Sequence, residues 1–175
     1  DYAIEISAFE PCVLECPAGA ELEGEPPLVD DYEDAFNAGC GGLGGWSTIT
    51  QSVFCGVSGW YLHQGSQFRD TDWFLITMPE TGHLEIVGDA EYATYMFELG
   101  PQECSDVGVI QNVQIGPCQP ATMDIYGEAG ADIWFWMGPT TFEGPVNEYL
   151  YVLHTNLGPV ATEAQSWSAV KELFD

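Results

Sequence analysis

The chain has almost no basic residues. Arg69 and Lys171 stand alone against 28 Asp and Glu, and the 175 residues carry a formal net charge of −26. Binding to phosphates depends on Lys and Arg, so nucleic acid is excluded as a partner. Docking on an anionic membrane surface is excluded for the same reason. No C-x2-C pair occurs among the cysteines, which argues against a zinc ribbon. His63, His83 and His154 are scattered, with no H-E-x-x-H. Gly56-Val57-Ser58-Gly59 is not a nucleophile elbow, because Trp60 stands where the final Gly is required. Asp70-Thr71 is followed by Asp72 rather than by the Gly of an aspartic-protease motif. Carboxylate pairs hydrolyse glycosides, but so many acids make chance pairs inevitable, and the chain reads as non-catalytic. It also lacks a transmembrane stretch and a signal peptide, and it starts at an acidic Asp1, as an exported protein does after cleavage.

What is present describes a folded, exported, all-β chain. Hydrophobic residues make up 46% and aromatics 13%, too many for a disordered acidic tail. The 20 Gly and 11 Pro are scattered among short apolar runs, as in a chain of strands joined by turns. The acids are either a solvated surface that keeps the protein soluble or, in part, a set of oxygen ligands for a hard cation such as Ca²⁺. Cys12, Cys16, Cys40, Cys55, Cys104 and Cys118 form an even set in a loop-rich chain, which favours disulfides and an oxidising compartment. Sequence alone does not choose among the possible pairings. Local closure of hairpins suggests Cys40–Cys55 and Cys104–Cys118, leaving Cys12–Cys16.

Periodicity divides the chain into three parts. In residues 1–28, Tyr2, Ile4, Ile6 and Ala8 alternate with Ala3, Glu5 and Ser7 as in a half-buried strand, and a Pro-, Gly- and Glu-rich linker follows from Cys12 to Pro27. Residues 29–158 start with an acidic, then glycine-rich loop over 30–45. Strands are then predicted at 49–54, 59–62, 72–78, 84–88, 94–99, 107–113, 122–126, 132–137 and 148–155, separated by turns such as Gly100-Pro101 and Gly116-Pro117. This spacing predicts an antiparallel β-sandwich or jelly roll. In residues 159–175, Trp167, Val170, Leu173 and Phe174 share one face of a short predicted helix, which needs something to dock on.

The most informative motif is Asp70-Thr71-Asp72-Trp73-Phe74, two carboxylates entering an apolar strand. With Glu23-Gly24-Glu25-Pro26, the spaced Asp30, Tyr32, Asp34, Asn37, Gly39 and Cys40, and Ile133-Trp134-Phe135-Trp136-Met137-Gly138, it resembles bacterial pre-peptidase C-terminal (PPC) domains over about residues 20–157. These are small jelly-roll modules appended to secreted proteases and other exported proteins, and they include collagen-binding modules. Cys104 and Cys118 resemble the later disulfide pair of such domains. In calcium-binding members, acids and Asn from the lead-in meet the Asp-x-Asp. Carried over, the resemblance implies a Ca²⁺ site from Glu23, Glu25, Asp34, Asn37, Asp70 and Asp72. The loop between Glu25 and Asn37 is longer than the family pattern.

Along Trp134-Phe135-Trp136 the two indoles share one face of a strand and Phe135 takes the other. One face is expected in the core, and the pair Trp134 and Trp136, with Trp46 or Trp60 nearby, is a candidate platform for a polysaccharide or an extracellular protein. Met96, Met123 and Met137 read as core filler. The sequence thus points to an extracellular structural subunit that self-assembles, with Ca²⁺ as a candidate stabiliser and Tyr2, Ile4 and Ile6 as the face of an assembly arm. A secreted carbohydrate- or protein-binding module is the alternative.

Overall fold

The structure is a computed structural model and describes residues 11–31, 35–42, 44–144 and 148–158. Eleven strands form two packed sheets: β1 (Glu21–Leu22), β2 (Ser47–Thr48), β3 (Val53–His63), β4 (Ser66–Arg69), β5 (Asp72–Thr77), β6 (His83–Ala90), β7 (Thr94–Gly100), β8 (Gly108–Ile115), β9 (Ala121–Tyr126), β10 (Asp132–Pro139) and β11 (Glu148–Thr155). One sheet runs β1-β3-β11-β6-β9, with β4 also paired to β3, and the other runs β2-β5-β10-β7-β8. The predicted β-sandwich is present, but its sheets are mixed rather than purely antiparallel. Two-residue strands β1 and β2 pair parallel to β3 and β5, because both arrive from long loops rather than from tight turns.

Alternation along the strands builds the core. Phe54, Leu84, Ile86, Met123, Tyr151 and Leu153 face inward from the first sheet. Phe74, Ile76, Met96, Ile115, Phe135 and Met137 meet them from the second. The three methionines are therefore core, as expected. Two predicted strands, 49–54 and 59–62, differ from the structure: β3 runs unbroken from Val53 to His63. The intervening Gly56, Ser58 and Gly59 have the composition of a turn, yet they lie buried in an extended strand. β4 went unpredicted because Ser66–Arg69 is short and mostly exposed.

All six cysteines are paired, but not as local closure suggests. The bonds are Cys12–Cys118, Cys16–Cys55 and Cys40–Cys104, spanning 106, 39 and 64 residues. Hairpin closure fails as a guide because each bond ties a loop or the lead-in to a segment distant in the chain. The segment from Cys12 to Pro27, expected as linker, is thereby held against the sandwich, and Leu28 just beyond it is buried. Cys40 lies in a 3-10 turn, Gly39–Gly41, laid over Trp73. Gly39 has φ +52, and a Cβ there would enter the Trp73 ring. The predicted strand at Tyr2–Ala8 and the predicted helix after Pro159 lie outside the described residues, as do Asp34 and the assembly-arm residues Tyr2, Ile4 and Ile6. Among the described residues there is no α-helix, and no helix is long and apolar enough to cross a membrane.

Candidate functional site: a buried carboxylate cluster

Where β3 faces the start of β5 the inner layer turns from apolar to acidic. β3 contributes Gly56 and Ser58 to its inner face, in register with the large Phe54 and Trp60. These small residues leave room where β5 begins, and there the inward residues are Asp70 and Asp72, both fully buried. Trp73 follows with its side chain on the outer face, while Phe74 resumes the core. The lead-in completes the group. β1 pairs with β3 at Phe54 and Cys55, Glu23 N donates to Cys55 O (2.9 Å), and the chain beyond it carries Glu25 to the same spot. One carboxylate oxygen from each of Glu23, Glu25 and Asp72 lies within 4.8 Å of the other two.

Two further residues close the pocket. Asn37, fully buried, donates from Nδ2 to Glu23 Oε1 (2.6 Å), and its own carbonyl receives Trp73 N (3.0 Å). Tyr151, in the middle of β11, donates its hydroxyl to Glu23 Oε1 (3.2 Å), and Val57 N donates to Glu23 Oε2 (2.9 Å). The Asn37 side-chain oxygen and both carboxylate oxygens of Asp72 are buried and accept no hydrogen bond. Such orphaned acceptors are costly unless something positive meets them.

Nothing positive among the described residues does so. Among the described residues the one Lys or Arg side chain is Arg69. It follows the alternation of β4 outward, donates Nη1 to Pro139 O (2.7 Å), and lies over the rings of Trp136 and Phe142. The effect on the acids is large. Burial first, and then the Glu25 charge, push the Glu23 pKa up to about 8. Asp72 is raised well above its usual range by burial and by Glu23, Asp70 and Glu25. The nearby Tyr151 hydroxyl offsets only part of this for Asp72.

Such a group is either protonated or holds a cation. Its donors are all oxygen: carboxylates, an amide carbonyl and a phenol. His and Cys ligands are absent from the cluster, so the set suits a hard cation. A cage of several protein carboxylates fits Ca²⁺ better than Mg²⁺, which keeps most of its waters. The structure therefore brings Glu23, Glu25 and Asp72 together, with Asn37 bonded to Glu23 and the Asp70 charge acting on Asp72, while Asp34 lies outside the described residues. Sequence reasoning missed Tyr151 and the small pair Gly56 and Ser58. A tyrosine at an inward position of a strand was the available signal, because a buried hydroxyl needs a polar partner.

The second candidate lies on the outer face of the β5-β10-β7 sheet. Trp134 and Trp136 point outward there and Phe135 into the core, as the alternation predicts. Trp46 packs on Trp134 at 4.3 Å and on Trp73 at 5.3 Å between ring centroids. Trp60 does not join them; it is inside, against Tyr92 and Tyr149. Trp136 is itself nearly covered, stacked on Phe97 at 4.6 Å. Beside this pair a hollow of about 230 Å³ is lined by Arg69, Trp73, Leu99, Val107 and Val109 as well.

No protein-family model matches the chain, and no curated protein matches it in sequence.

Proposed function

We propose that the chain is a non-catalytic, exported structural module whose sandwich is completed by Ca²⁺ and which assembles with copies of itself. The observation that carries the metal is the orphaned Asp72 carboxylate beside Glu23 and Glu25, with no Lys or Arg among the described residues facing it. Glu23 and Glu25 come from the lead-in, Asn37 from the loop before β2, and Asp70 and Asp72 from the entry to β5. An ion among them ties three separate chain segments to the sandwich. The enclosure of the cluster gives that ion a structural task rather than contact with a substrate. The disulfides fit an oxidising compartment, where free Ca²⁺ is abundant enough for a site of modest affinity. The strong negative charge suppresses casual association, so self-assembly of this chain requires a specific contact.

Calorimetry with Ca²⁺ and with chelator tests the metal, and light scattering tests assembly. We expect one bound ion and a higher Tm in Ca²⁺. Identical melting curves in the two conditions would overturn the metal assignment.

The hollow beside Trp136 and Phe97 supports a second reading, a binding module. An apolar, aromatic-lined concavity with one guanidinium has the composition of a small-ligand site. Glycan-array binding by the wild-type chain, lost in Phe97→Ala, would favour it.

A further inference from the structure

A sandwich of two open sheets has exposed edges, and edges are where chains pair. The edges here are unequal. β1 and β2 are two residues long, β4 is four residues long and carries Arg69, and β9 carries Asp124. β8 is different. It is eight residues long, pairs with β7 on one side, and has no strand on the other among the described residues. From Val107 to Met123 the sequence has no charged residue, although the chain as a whole carries −26. Charge, the usual protection of an edge, is absent from the longest one. Val109 and Ile110 are more than half exposed on it, and Val113 packs on the core while only partly covered.

The foot of this edge is also where the described chain begins. Cys12 is bonded to Cys118, three residues past the end of β8. The covalent attachment point of residues 1–10 therefore lies beside the edge. Within them Tyr2, Ile4, Ile6 and Ala8 alternate with Ala3, Glu5 and Ser7, so one face is apolar. Residues 2–8, if extended, span roughly 20 Å and match most of β8 at about 3.3 Å per residue.

We infer that the free edge of β8 is the acceptor for residues 2–8 of a second copy of this chain. The inference rests on the self-assembly reading and names its contact. The tether decides between the chain's own edge and a neighbour's. Laid back from Cys12 along its own β8, the segment runs in the same direction as β8, and parallel pairing is the weaker kind. Along its own β9 it would run antiparallel, but there Gln111 Nε2 already donates to the Asp124 carbonyl (2.9 Å). A neighbour's β8 imposes no direction, so antiparallel pairing is open to it. The apolar face of the incoming strand then covers Val113, and Glu5 turns to solvent with no acid opposite. Donor and acceptor are different surfaces, so the contact is head-to-tail and propagates.

Complementation between full-length variants tests this. Asn112→Lys/Gln114→Lys places charge at two exposed positions of β8 and leaves the donor intact. Ile4→Asp/Ile6→Asp spoils the donor and leaves the edge intact. By light scattering, wild type should grow into chains, each variant alone should stay monomeric, and an equimolar mixture should stop at dimers. In addition, an excess of a synthetic peptide of residues 1–10 should shorten wild-type assemblies, a measurement that needs no substitution. If the β8 variant, folded by circular dichroism, assembles like wild type and the peptide has no effect, β8 is not the acceptor although self-assembly stands. A wild-type chain that stays monomeric at high concentration in Ca²⁺ overturns the assembly reading as well. If that monomer protects residues 2–8 and β8 together from hydrogen exchange, the segment pairs with its own edge.

Discussion

Gly56 lies directly beneath the ring of Tyr151, and a Cβ on it would also stand 2.6 Å from Glu23 Oε2. The smallest side chain in β3 is thus the floor on which the buried phenol and carboxylate meet. Both of them reach the cluster only because that position is empty.

Gly56→Ala should therefore damage the cluster more than a methyl group ordinarily would. Overpacking alone costs about 1–3 kcal/mol. The added Cβ must also move Tyr151 or Glu23, so the gain in Tm on adding Ca²⁺ should shrink or vanish. Thermal melts of the variant, with Ca²⁺ and with chelator, measure both effects. A variant that is destabilised but keeps the full Ca²⁺ response would show that Ca²⁺ binding does not depend on the placement of Tyr151 and Glu23 above Gly56.

Asp72→Asn separates metal binding from simple packing. Asn keeps the shape and removes one of the buried charges. Without metal, the variant should melt higher than metal-free wild type at neutral pH, because Asp72 is crowded by Glu23, Asp70 and Glu25. With Ca²⁺ the order should reverse. Free Ca²⁺ at about 100 times Kd stabilises by about 2.7 kcal/mol. For a domain of this size that is roughly 5–10 °C in Tm, and the variant should lose it. A metal-free variant less stable than metal-free wild type would argue that Asp72 is satisfied without a cation.

Much of this architecture was legible because alternation survives in isolated strands. Asp72-Trp73-Phe74-Leu75-Ile76 and Trp134-Phe135-Trp136 sort themselves to the two faces of a sheet, and the structure keeps that sorting. The meeting of Glu23, Glu25 and Asn37 with Asp70 and Asp72 was not in the pattern of any one strand. It came through a resemblance of spaced motifs. What stayed hidden depends on contacts between distant segments. The Cys12–Cys118 bond joins positions 106 residues apart, and local spacing says nothing about it. Gly56-Val57-Ser58-Gly59 has the composition of a turn, and only the acids packed above it explain why it is strand. The Tyr151 hydroxyl reads as one more strand aromatic until the cluster is in place.

The metal-free chain should lose stability as pH rises. The folded Glu23 pKa of about 8 lies above its ordinary value of 4.5, and Asp72 is raised as well. The folded state then binds more protons than the unfolded one between these limits. The contribution is full below about 4.5 and is lost as pH passes through about 8. Ca²⁺ needs the deprotonated carboxylates, so the Ca²⁺-dependent increment should grow over the same interval. Tm measured from pH 4.5 to 9 in chelator and in Ca²⁺ should give two curves that diverge toward alkaline pH. Parallel curves would count against the cluster as the metal site.

The two disulfides of the lead-in should differ in what their loss does. In the chain-entropy picture, closing loops of 106 and 39 residues contributes comparably, about 4–5 kcal/mol each. Replacing either pair by Ala should lower Tm by similar amounts. Their positions are not equivalent, however. Cys55 is the β3 residue that pairs with Leu22 and accepts the backbone hydrogen bond of Glu23. Cys16–Cys55 therefore fixes the segment that delivers Glu23 and Glu25. Cys12–Cys118 holds the start of the lead-in beside the end of β8, far along the chain from either acid. Cys16→Ala/Cys55→Ala should weaken Ca²⁺ binding at least tenfold by calorimetry, whereas Cys12→Ala/Cys118→Ala should leave the affinity within about twofold. Peptide mapping of the unreduced wild-type chain must first find both bonds. Equal loss of Ca²⁺ affinity in the two variants would mean that the lead-in positions its acids as one unit, with no special part for the bond at Cys55.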